Sequence, residues 1–224
     1  MQVIQGSKKL ETAVLLTLCG GYLDAYTYFV RGGVFANAQT GNIIKLGIQI
    51  VNGDVHTCMR YLIPILSFTI GVVCANLIEI YMKKRDIHMI RRTVLLIEMC
   101  VLATVGLIPA KEEYNLIANT MVSFVCAMQM EAFKTFVNQP IATTVSTGNL
   151  RKFIDYLIKG IHENSKEDLK TAGIYGLIVL LFIGGVSFGT LCADFLGIYA
   201  VYVVVFFMAL TMILITVKTK YIDA

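Results

Sequence analysis

The sequence predicts an all-α membrane protein in which six transmembrane helices form a 3+3 inverted repeat, each half carrying a re-entrant loop and a half-helix. Three observations support this prediction: an apolar composition, a stretch that occurs twice, and basic residues in alternate connecting segments. Hydrophobic residues fill 57% of the 224 positions and charged residues only 15%. This composition is too apolar for an ordinary soluble domain, so we expect the chain to lie in a lipid bilayer.

Six segments are long and apolar enough to cross a hydrocarbon core of about 30 Å, which takes roughly 20 helical residues. The predicted spans are Leu10–Val30, Tyr61–Met82, Thr93–Ala110, Tyr114–Val137, Leu169–Cys192 and Ile198–Val217. The first span is long, contains Asp24 and lacks an A-x-A-like cleavage site. We therefore expect it to be a retained helix rather than a signal peptide.

The lysines and arginines predict the orientation, because positive charge is retained on the cytoplasmic side of a membrane. They cluster before the first span, after the second, after the fourth and after the last. The clustered residues are Lys8, Lys9, Lys83, Lys84, Arg85, Arg91, Arg92, Arg151, Lys152, Lys159, Lys166, Lys170, Lys218 and Lys220. Six spans with both termini in the cytoplasm place all of these clusters on one side.

The stretch Cys19–Lys45 returns 107 residues later as Cys126–Lys152, and the ungapped alignment of the two copies contains eight identities. Chance would give about two at background residue frequencies. We expect the repeat to divide the chain into residues 1–112 and 113–224, two halves of one integrated membrane domain. Each half has three spans, an odd number, so the second half enters the membrane from the opposite side and the repeat is inverted.

Each copy is expected to form a re-entrant loop that leads into a half-helix. Gly32 and Gly33 break the first helix, and the apolar positions of the next one extend for only about four turns. About 13 residues at 1.5 Å each cannot cross the bilayer. We therefore expect Gly33–Asn52 to enter from outside and Pro140–Ile161 from the cytoplasm. The alternative is a full extra span in each half, which would place the Lys83–Arg92 link outside.

Two acids, Asp24 and Glu131, occupy equivalent positions in the two copies. A carboxylate within a spanning helix costs at least ~2.5 kcal/mol on insertion scales, so its recurrence indicates a function. The half-helix N-termini would present backbone N–H groups and partial positive charge to an anionic or polar solute. The acids would then carry protons or bind cations. In the alternative, Glu131 pairs with Lys134, and the Thr-Gly-Asn motifs are only caps. Asp24 then bonds locally to Tyr28, to Thr40 or to an exposed N–H group at the half-helix start.

These considerations define the predicted site. The substrate-binding residues are Thr40, Gly41, Asn42, Thr147, Gly148 and Asn149; the ion or proton carriers are Asp24 and Glu131; secondary candidates are Asn37, Asn76, Gln129 and Lys134. Two other acids, Glu79 and Glu98, are predicted to form ion pairs near helix ends, with Lys83 and with Arg91 or Arg92 respectively.

Two small-xxx-small patterns, Gly71 to Ala75 and Gly185 to Gly189, predict close helix packing. They are compatible with packing inside the monomer or across a homodimer. The six cysteines are isolated from one another and the three histidines fall in different connecting segments, so we expect no metal site. Catalytic and nucleotide-binding motifs are absent from the sequence. We therefore expect no enzyme activity, no cofactor and no nucleic-acid partner.

The run GYLDAYTYF-x₃-GVFANAQTGN, with the later TTVSTGNL, resembles the signature of the YoaK-like family of small bacterial multipass membrane proteins. The resemblance covers essentially the whole chain and implies a bacterial cytoplasmic (inner) membrane protein of unknown function. From the residues themselves, the leading hypothesis is a secondary transporter for a small polar or anionic solute, with proton coupling as an option. Its site would lie between the two Thr-Gly-Asn loops near the bilayer midplane. The alternatives are an ion channel or uniporter, or a membrane scaffold or sensor.

Overall fold

A computed structural model describes residues 2–82, 87–137 and 139–220, with side chains described for 10–82, 89–137 and 139–217. These residues form helices and connecting loops, with no β-strand among them. The helices are α1 Gln2–Val30, α2 Gln39–Asn52, α3 Val55–Tyr81, α4 Ile87–Val105, α5 Glu112–Ala132, α6 Thr147–His162, α7 Lys166–Leu196 and α8 Val201–Lys220. A 3₁₀ turn, Gly197–Ala200, joins α7 to α8. The predicted all-α class is confirmed.

Three helical stretches are long and apolar enough to cross a membrane by length and composition: Leu10–Val30, Val55–Tyr81 and Lys166–Val217. The third contains 52 residues because it runs through the 3₁₀ turn, and it includes the last two predicted spans. Six spans and both cytoplasmic termini stay predictions. The basic cluster Lys83–Arg85 lies outside the described residues.

The third and fourth predicted spans end earlier than expected. Helix α4 stops at Val105 instead of Ala110, where the chain turns through Gly106 and Pro109. Helix α5 stops at Ala132 instead of Val137. An apolar sequence continues past both helix ends, which is why hydropathy alone placed the boundaries too late.

The two helices α2 and α6 are short, at 14 and 16 residues. At 1.5 Å per residue they extend about 21 Å and 24 Å, less than a hydrocarbon core of about 30 Å. The helix expected to follow the first glycine break begins at Gln39, and its N-cap residue is Ala38. Their re-entrant placement in a membrane stays a prediction.

The most extensive helix pairings are α1 with α7 and α3 with α5. Glycines of the small-xxx-small patterns form both contacts. A Cβ atom on Gly71 would collide with the carbonyl oxygen of Phe124 in α5, and one on Gly185 with that of Leu18 in α1. These glycines therefore let helices of one chain approach closely, which is a packing role within the monomer.

Candidate functional site

The chain forms the same hydrogen-bonded turn twice, once before α2 and once before α6. Asn42 is fully buried; its Oδ1 accepts from Phe35 N at 3.1 Å and its Nδ2 donates to Phe35 O at 2.7 Å. Asn149 Oδ1 accepts from Ala142 N at 3.4 Å and its Nδ2 donates to Ala142 O at 2.6 Å. In both cases the partner lies seven residues earlier. Each asparagine thus holds its own loop, residues 31–38 (the first loop) or 139–146 (the second loop).

A lysine adds a second bond to each loop. Lys45 Nζ donates to Gly33 O at 2.6 Å, and Lys152 Nζ donates to Pro140 O at 2.8 Å, each over twelve residues. The identities shared by the two copies therefore include a pair of side chains that fix the loop geometry. A substrate-binding role for Asn42 stays a prediction. The oxygen and the nitrogen of its side-chain amide already bond to the backbone of Phe35.

Both loops line one cavity of about 750 Å³. The first loop and the start of α2 contribute Phe35, Asn37, Ala38, Gln39 and Thr40; the second loop and the start of α6 contribute Thr144, Val145, Ser146, Thr147 and Gly148. Asp24 of α1, Phe68 of α3, Met130 of α5, and Phe182 and Val186 of α7 complete much of the remaining wall. The cavity thus unites Asp24, Asn37, Thr40, Thr147 and Gly148 of the predicted site, whereas Gly41, Asn42 and Asn149 lie outside its lining.

The two loops meet at Gly20 in α1. A Cβ atom there would stand 2.6 Å from Thr143 O and 3.1 Å from the Thr144 Cα, so the second loop lies directly on the helix backbone. The first loop binds the same place, because Asn37 Nδ2 donates to Gly20 O at 3.0 Å. The glycine is required by this close approach of two backbones.

Asp24 is 5% exposed and faces the start of α2. Its Oδ1 accepts from the backbone nitrogens of Asn37 at 2.7 Å and Ala38 at 3.4 Å. The N-cap residue Ala38 has no side-chain cap, so Asp24 supplies the negative charge that a helix N-terminus favours. A bond from Asp24 to an N–H group at the half-helix start, one of the alternatives from the sequence, is therefore present. The same carboxylate also lines the cavity.

Glu131 lies outside the cavity, although it is aligned with Asp24 in sequence. Its Oε1 accepts from Lys134 Nζ at 2.7 Å, and the same Nζ donates to Glu79 Oε2 at 3.1 Å. The hydrogen bond to Glu131 raises the pKa of Lys134. With Arg91, these three residues line a separate cavity of about 150 Å³. The pairing of Glu131 with Lys134, which the sequence left open, is present.

The different fates of the two acids follow from where their helices end. Asp24 lies six residues before the last residue of α1, whereas Glu131 precedes the last residue of α5. Lys134 follows the end of α5 by two residues and lies within reach of Glu131, whereas α1 continues past Asp24 and the Asp24 carboxylate meets the first loop. A proton-carrying role for Glu131 stays a prediction.

The prediction that Glu98 forms an ion pair near a helix end is wrong. Helix α4 begins at Ile87, well before the predicted Thr93, so Glu98 lies about three turns inside it. Its side chain is fully buried. With the Gln129 amide oriented so that its nitrogen faces the carboxylate, Gln129 donates to Glu98 Oε1 at 2.9 Å and to Oε2 at 3.2 Å.

Three predicted residues remain. Asn76 bonds to its own helix, and the contacts of Gln129 and Lys134 are given above. Asn76 Nδ2 donates to Val72 O at 2.9 Å, one turn earlier in α3. Glu79 pairs with Lys134; its predicted partner Lys83 lies outside the described residues.

Three residues of functional interest were not predicted. Thr144 and Ser146 line the cavity, and their buried hydroxyl oxygens have no hydrogen-bond partner among the described residues. The hydroxyl-rich run before the second Thr-Gly-Asn motif was the available signal.

Arg31 is fully buried at the end of α1, and its guanidinium donates to Val105 O at 2.9 Å and Ile108 O at 3.0 Å. It therefore caps the carbonyl end of α4.

Within residues 2–82, 87–137 and 139–220, no group of three or more His, Cys, Asp or Glu residues is placed to hold a metal ion. The cavity lining contains threonine and serine residues, the Asp24 carboxylate and the starts of two helices. These groups can bind a polar solute by hydrogen bonds and can exchange a proton at Asp24.

Comparison with known families gives a match over residues 12–214 to the family described as "Protein of unknown function (DUF1275)". Neither the curated proteins nor the solved structures contain a match. The family match agrees with the YoaK-like signature in the sequence and spans nearly the whole chain. The protein therefore belongs to DUF1275, an uncharacterised family of membrane proteins.

Proposed function

We propose that the protein is a secondary transporter for a small polar or anionic solute, which binds in the 750 Å³ cavity between the two loops. The observation that carries the proposal is the convergence of Asp24 and the starts of both short helices on this one cavity. Its volume is in the range of sites that enclose small molecules. The activity proposed is transport and not catalysis.

The proposed topology has six spans arranged as an inverted repeat in the bacterial inner membrane, with both termini in the cytoplasm. The matched bonds Asn42 to Phe35 and Asn149 to Ala142 support a repeat, because unrelated loops have no reason to share them. The helix pairings support it as well. Pairing of α1 with α7 corresponds to pairing of α5 with α3 when the two halves are exchanged.

In this arrangement α2 and α6 are half-helices that enter the membrane from opposite faces. Irregular backbone at membrane depth is tolerated where it is buried in protein or lines a cavity, and the two loops satisfy that condition. Thr40 and Thr147 expose their side chains at the helix starts and supply hydrogen bonds to solute. Rocking of one half against the other would open the cavity to each side in turn.

Asp24 is proposed to carry the coupling proton. It is the carboxylate of the cavity lining, it is buried, and its protonation changes the charge that a solute meets. Because Oδ1 is held by Asn37 N and Ala38 N, protonation of Asp24 also changes the bond that fixes the first loop. One titration thus alters both the charge of the cavity and the position of its wall.

The test is uptake of a metabolite panel into proteoliposomes under an imposed proton gradient. We expect Asp24→Asn, which keeps the size of the side chain, to lose gradient-driven accumulation while keeping solute exchange. Glu131→Gln is the matched comparison, because it neutralises the carboxylate that lies outside the cavity. Accumulation like the wild type would restrict coupling to Asp24, and loss of accumulation would support the proton-carrying role predicted for Glu131. Full accumulation by Asp24→Asn would exclude proton coupling through this residue. Unsaturable conductance in a planar bilayer would favour a channel.

A further inference from the structure

We propose that the substrate is an organic cation with an apolar body, whose positive charge binds Asp24 and whose body lies against Phe68 and Phe182. This inference rests on the proposed function, and among the polar solutes named there it selects the positively charged ones. It follows from the charge of the cavity lining, from the available oxygen of Asp24 and from the aromatic side chains around it.

Asp24 gives the cavity a negative charge without a compensating cation. Among the described residues that line the cavity, Asp24 is the one charged side chain, and lysine, arginine and histidine are absent. The threonine, serine, asparagine and glutamine side chains of the lining are neutral. An ionised Asp24 therefore repels an anion and attracts a cation, and both effects are stronger at a buried site than in water.

The Asp24 carboxylate has one oxygen available for a ligand. Both of its hydrogen bonds are made at Oδ1, which accepts from Asn37 N at 2.7 Å and from Ala38 N at 3.4 Å. The other oxygen, Oδ2, is not one of the fully buried side-chain atoms that lack a partner, whereas Thr144 Oγ1 and Ser146 Oγ are. Oδ2 therefore retains surface toward the cavity, and an ammonium group can reach it without breaking the bonds that hold the first loop.

Aromatic rings supply the second part of the cation site. Five aromatic side chains line the cavity: Tyr28, Phe29, Phe35, Phe68 and Phe182. The negative face of an aromatic ring attracts an organic cation, and its carbon surface buries an apolar body. A small hydrated metal ion would leave these rings in contact with water, so the lining favours a ligand with both a charge and a body.

Lys45 shows that rings at this place accept an ammonium group. Its Nζ lies 4.9 Å from the centre of the Tyr28 ring and 5.0 Å from that of the Phe35 ring. Its hydrogen bond to Gly33 O, at 2.6 Å, holds this charge on the first loop, and Lys45 is not part of the described lining. The other three aromatic rings of the lining are therefore left for a ligand.

A cation and a proton compete for Asp24, and this competition couples the two. Protonation neutralises the carboxylate, so the cation binds when the proton has left for water on the side from which the cation enters. The titratable side chains described around Asp24 are Tyr28 of α1 and Cys126 of α5, and Lys45 of α2 adds a positive charge over Tyr28. The lining residues of α3, α6, α7 and the second loop carry no titratable group. The affinity for the cation should therefore fall as the pH is lowered, with Asp24 as the group responsible.

Isothermal titration calorimetry of the purified full chain in detergent tests the inference without requiring transport. Three probes share a benzyl group and differ in charge: benzyltrimethylammonium, benzyl alcohol and phenylacetate. We expect the cation to bind at least tenfold more tightly than the alcohol and the anion, and than tetramethylammonium, which lacks the aromatic body. Its affinity should fall as the pH is lowered. Binding of the alcohol or the anion as tightly as the cation, or no cation binding, would overturn the inference.

A positive charge on an apolar body is shared by free organic amines and by membrane lipids with an ammonium headgroup. Competition with lysophosphatidylethanolamine separates these two sources. Tighter competition by this lipid than by benzyltrimethylammonium would identify the headgroup as the source, and weaker competition would identify the free cation.

Three variants locate the charge and the body of the ligand. Asp24→Asn should weaken cation binding at least tenfold, remove its pH dependence and leave benzyl alcohol binding unchanged. Phe68→Leu and Phe182→Leu each remove a ring and keep an apolar side chain, so each should lower the ratio of cation affinity to alcohol affinity. Asp155→Asn is the control, because this exposed carboxylate pairs with Arg151 of its own helix outside the cavity. Unchanged cation binding in Asp24→Asn, or an unchanged affinity ratio in both phenylalanine variants, would overturn the inference.

The outcomes separate this inference from the proposed function. In proteoliposomes, Asp24→Asn should exchange solute only at higher concentration, because the walls still hold the body. Cation binding with the expected variant effects, but without uptake of any solute, would sink transport and keep the site. Coupled uptake of an anionic or uncharged solute, together with no cation binding, would sink the assignment of substrate class and keep transport.

Discussion

Gly20 in α1 and Thr143 in the second loop are in backbone contact: a Cβ atom on Gly20 would lie 2.6 Å from Thr143 O. Asn37 of the first loop also bonds to Gly20 O, so both loops contact α1 at this one position. The cavity between them depends on that contact.

Gly20→Ala should therefore displace the second loop. We expect a loss of about 1–3 kcal/mol in the free energy of unfolding, because the methyl group must push backbone aside. Solute binding should weaken as well. Thermal unfolding in detergent measures the first effect. Gly173→Ala is the matched control, since a Cβ atom at that exposed helical position meets nothing within 4 Å and should be neutral or stabilising. Equal stability of the two variants would contradict the packing role of Gly20.

Asn42 and Asn149 should act on stability in the same way. Replacing either with Ala leaves the backbone N–H and C=O of one loop residue without their partner, Phe35 in one case and Ala142 in the other. We expect each variant to lose about 1–3 kcal/mol, measured by unfolding in detergent. Asn52→Ala is the control, because Asn52 is exposed and bonds only to the Gln49 side chain. If Asn149→Ala abolished binding at wild-type stability, the asparagine would belong to the substrate-binding set.

Glu98 and Gln129 should be energetically coupled. Gln129→Leu removes the amide that donates to the fully buried Glu98 carboxyl, and Glu98→Met removes the acceptor. We expect each single variant to be less stable by about 1–3 kcal/mol, and the double variant to be less destabilised than the sum of the two, because an apolar pair leaves no polar group unsatisfied. A double-mutant cycle on unfolding free energies gives the coupling. Strict additivity would mean that the two side chains do not interact.

The sequence predicted those parts of the site that depend on local signals. A glycine break, a short amphipathic run and a repeated Thr-Gly-Asn motif were sufficient to predict α2 and α6. A bond from Asp24 to an N–H group at the start of α2 is one alternative that the sequence predicts, and Asn37 N and Ala38 N form it.

Features that depend on where helices end, or on contacts between helices distant in sequence, were beyond the sequence. Glu131 aligns with Asp24, yet the chain leaves α5 one residue later, and an ungapped alignment carries no information about that turn. The predicted ion pair of Glu98 with Arg91 or Arg92 depends on a helix that begins at Thr93, whereas α4 begins at Ile87. The charged residues are inside α4, so hydropathy placed its start too late.

The proposed orientation predicts which connecting segments an impermeant maleimide can reach in intact cells. Cysteines placed at Asn52, the last residue of α2, and at Glu113, in the first turn of α5, are exposed on the proposed outer side and should be labelled without permeabilisation. A cysteine at Glu163, exposed between α6 and α7, should be labelled only after the membrane is opened. The wild-type chain is the control for its own six cysteines. Labelling of Glu163 and Asn52 from the same side would contradict the inverted repeat, because the α6–α7 and α2–α3 connections are related by exchange of the halves and must face opposite sides. In that case α2 and α6 would no longer enter from opposite faces, and rocking of the two halves around the shared cavity would lose its basis.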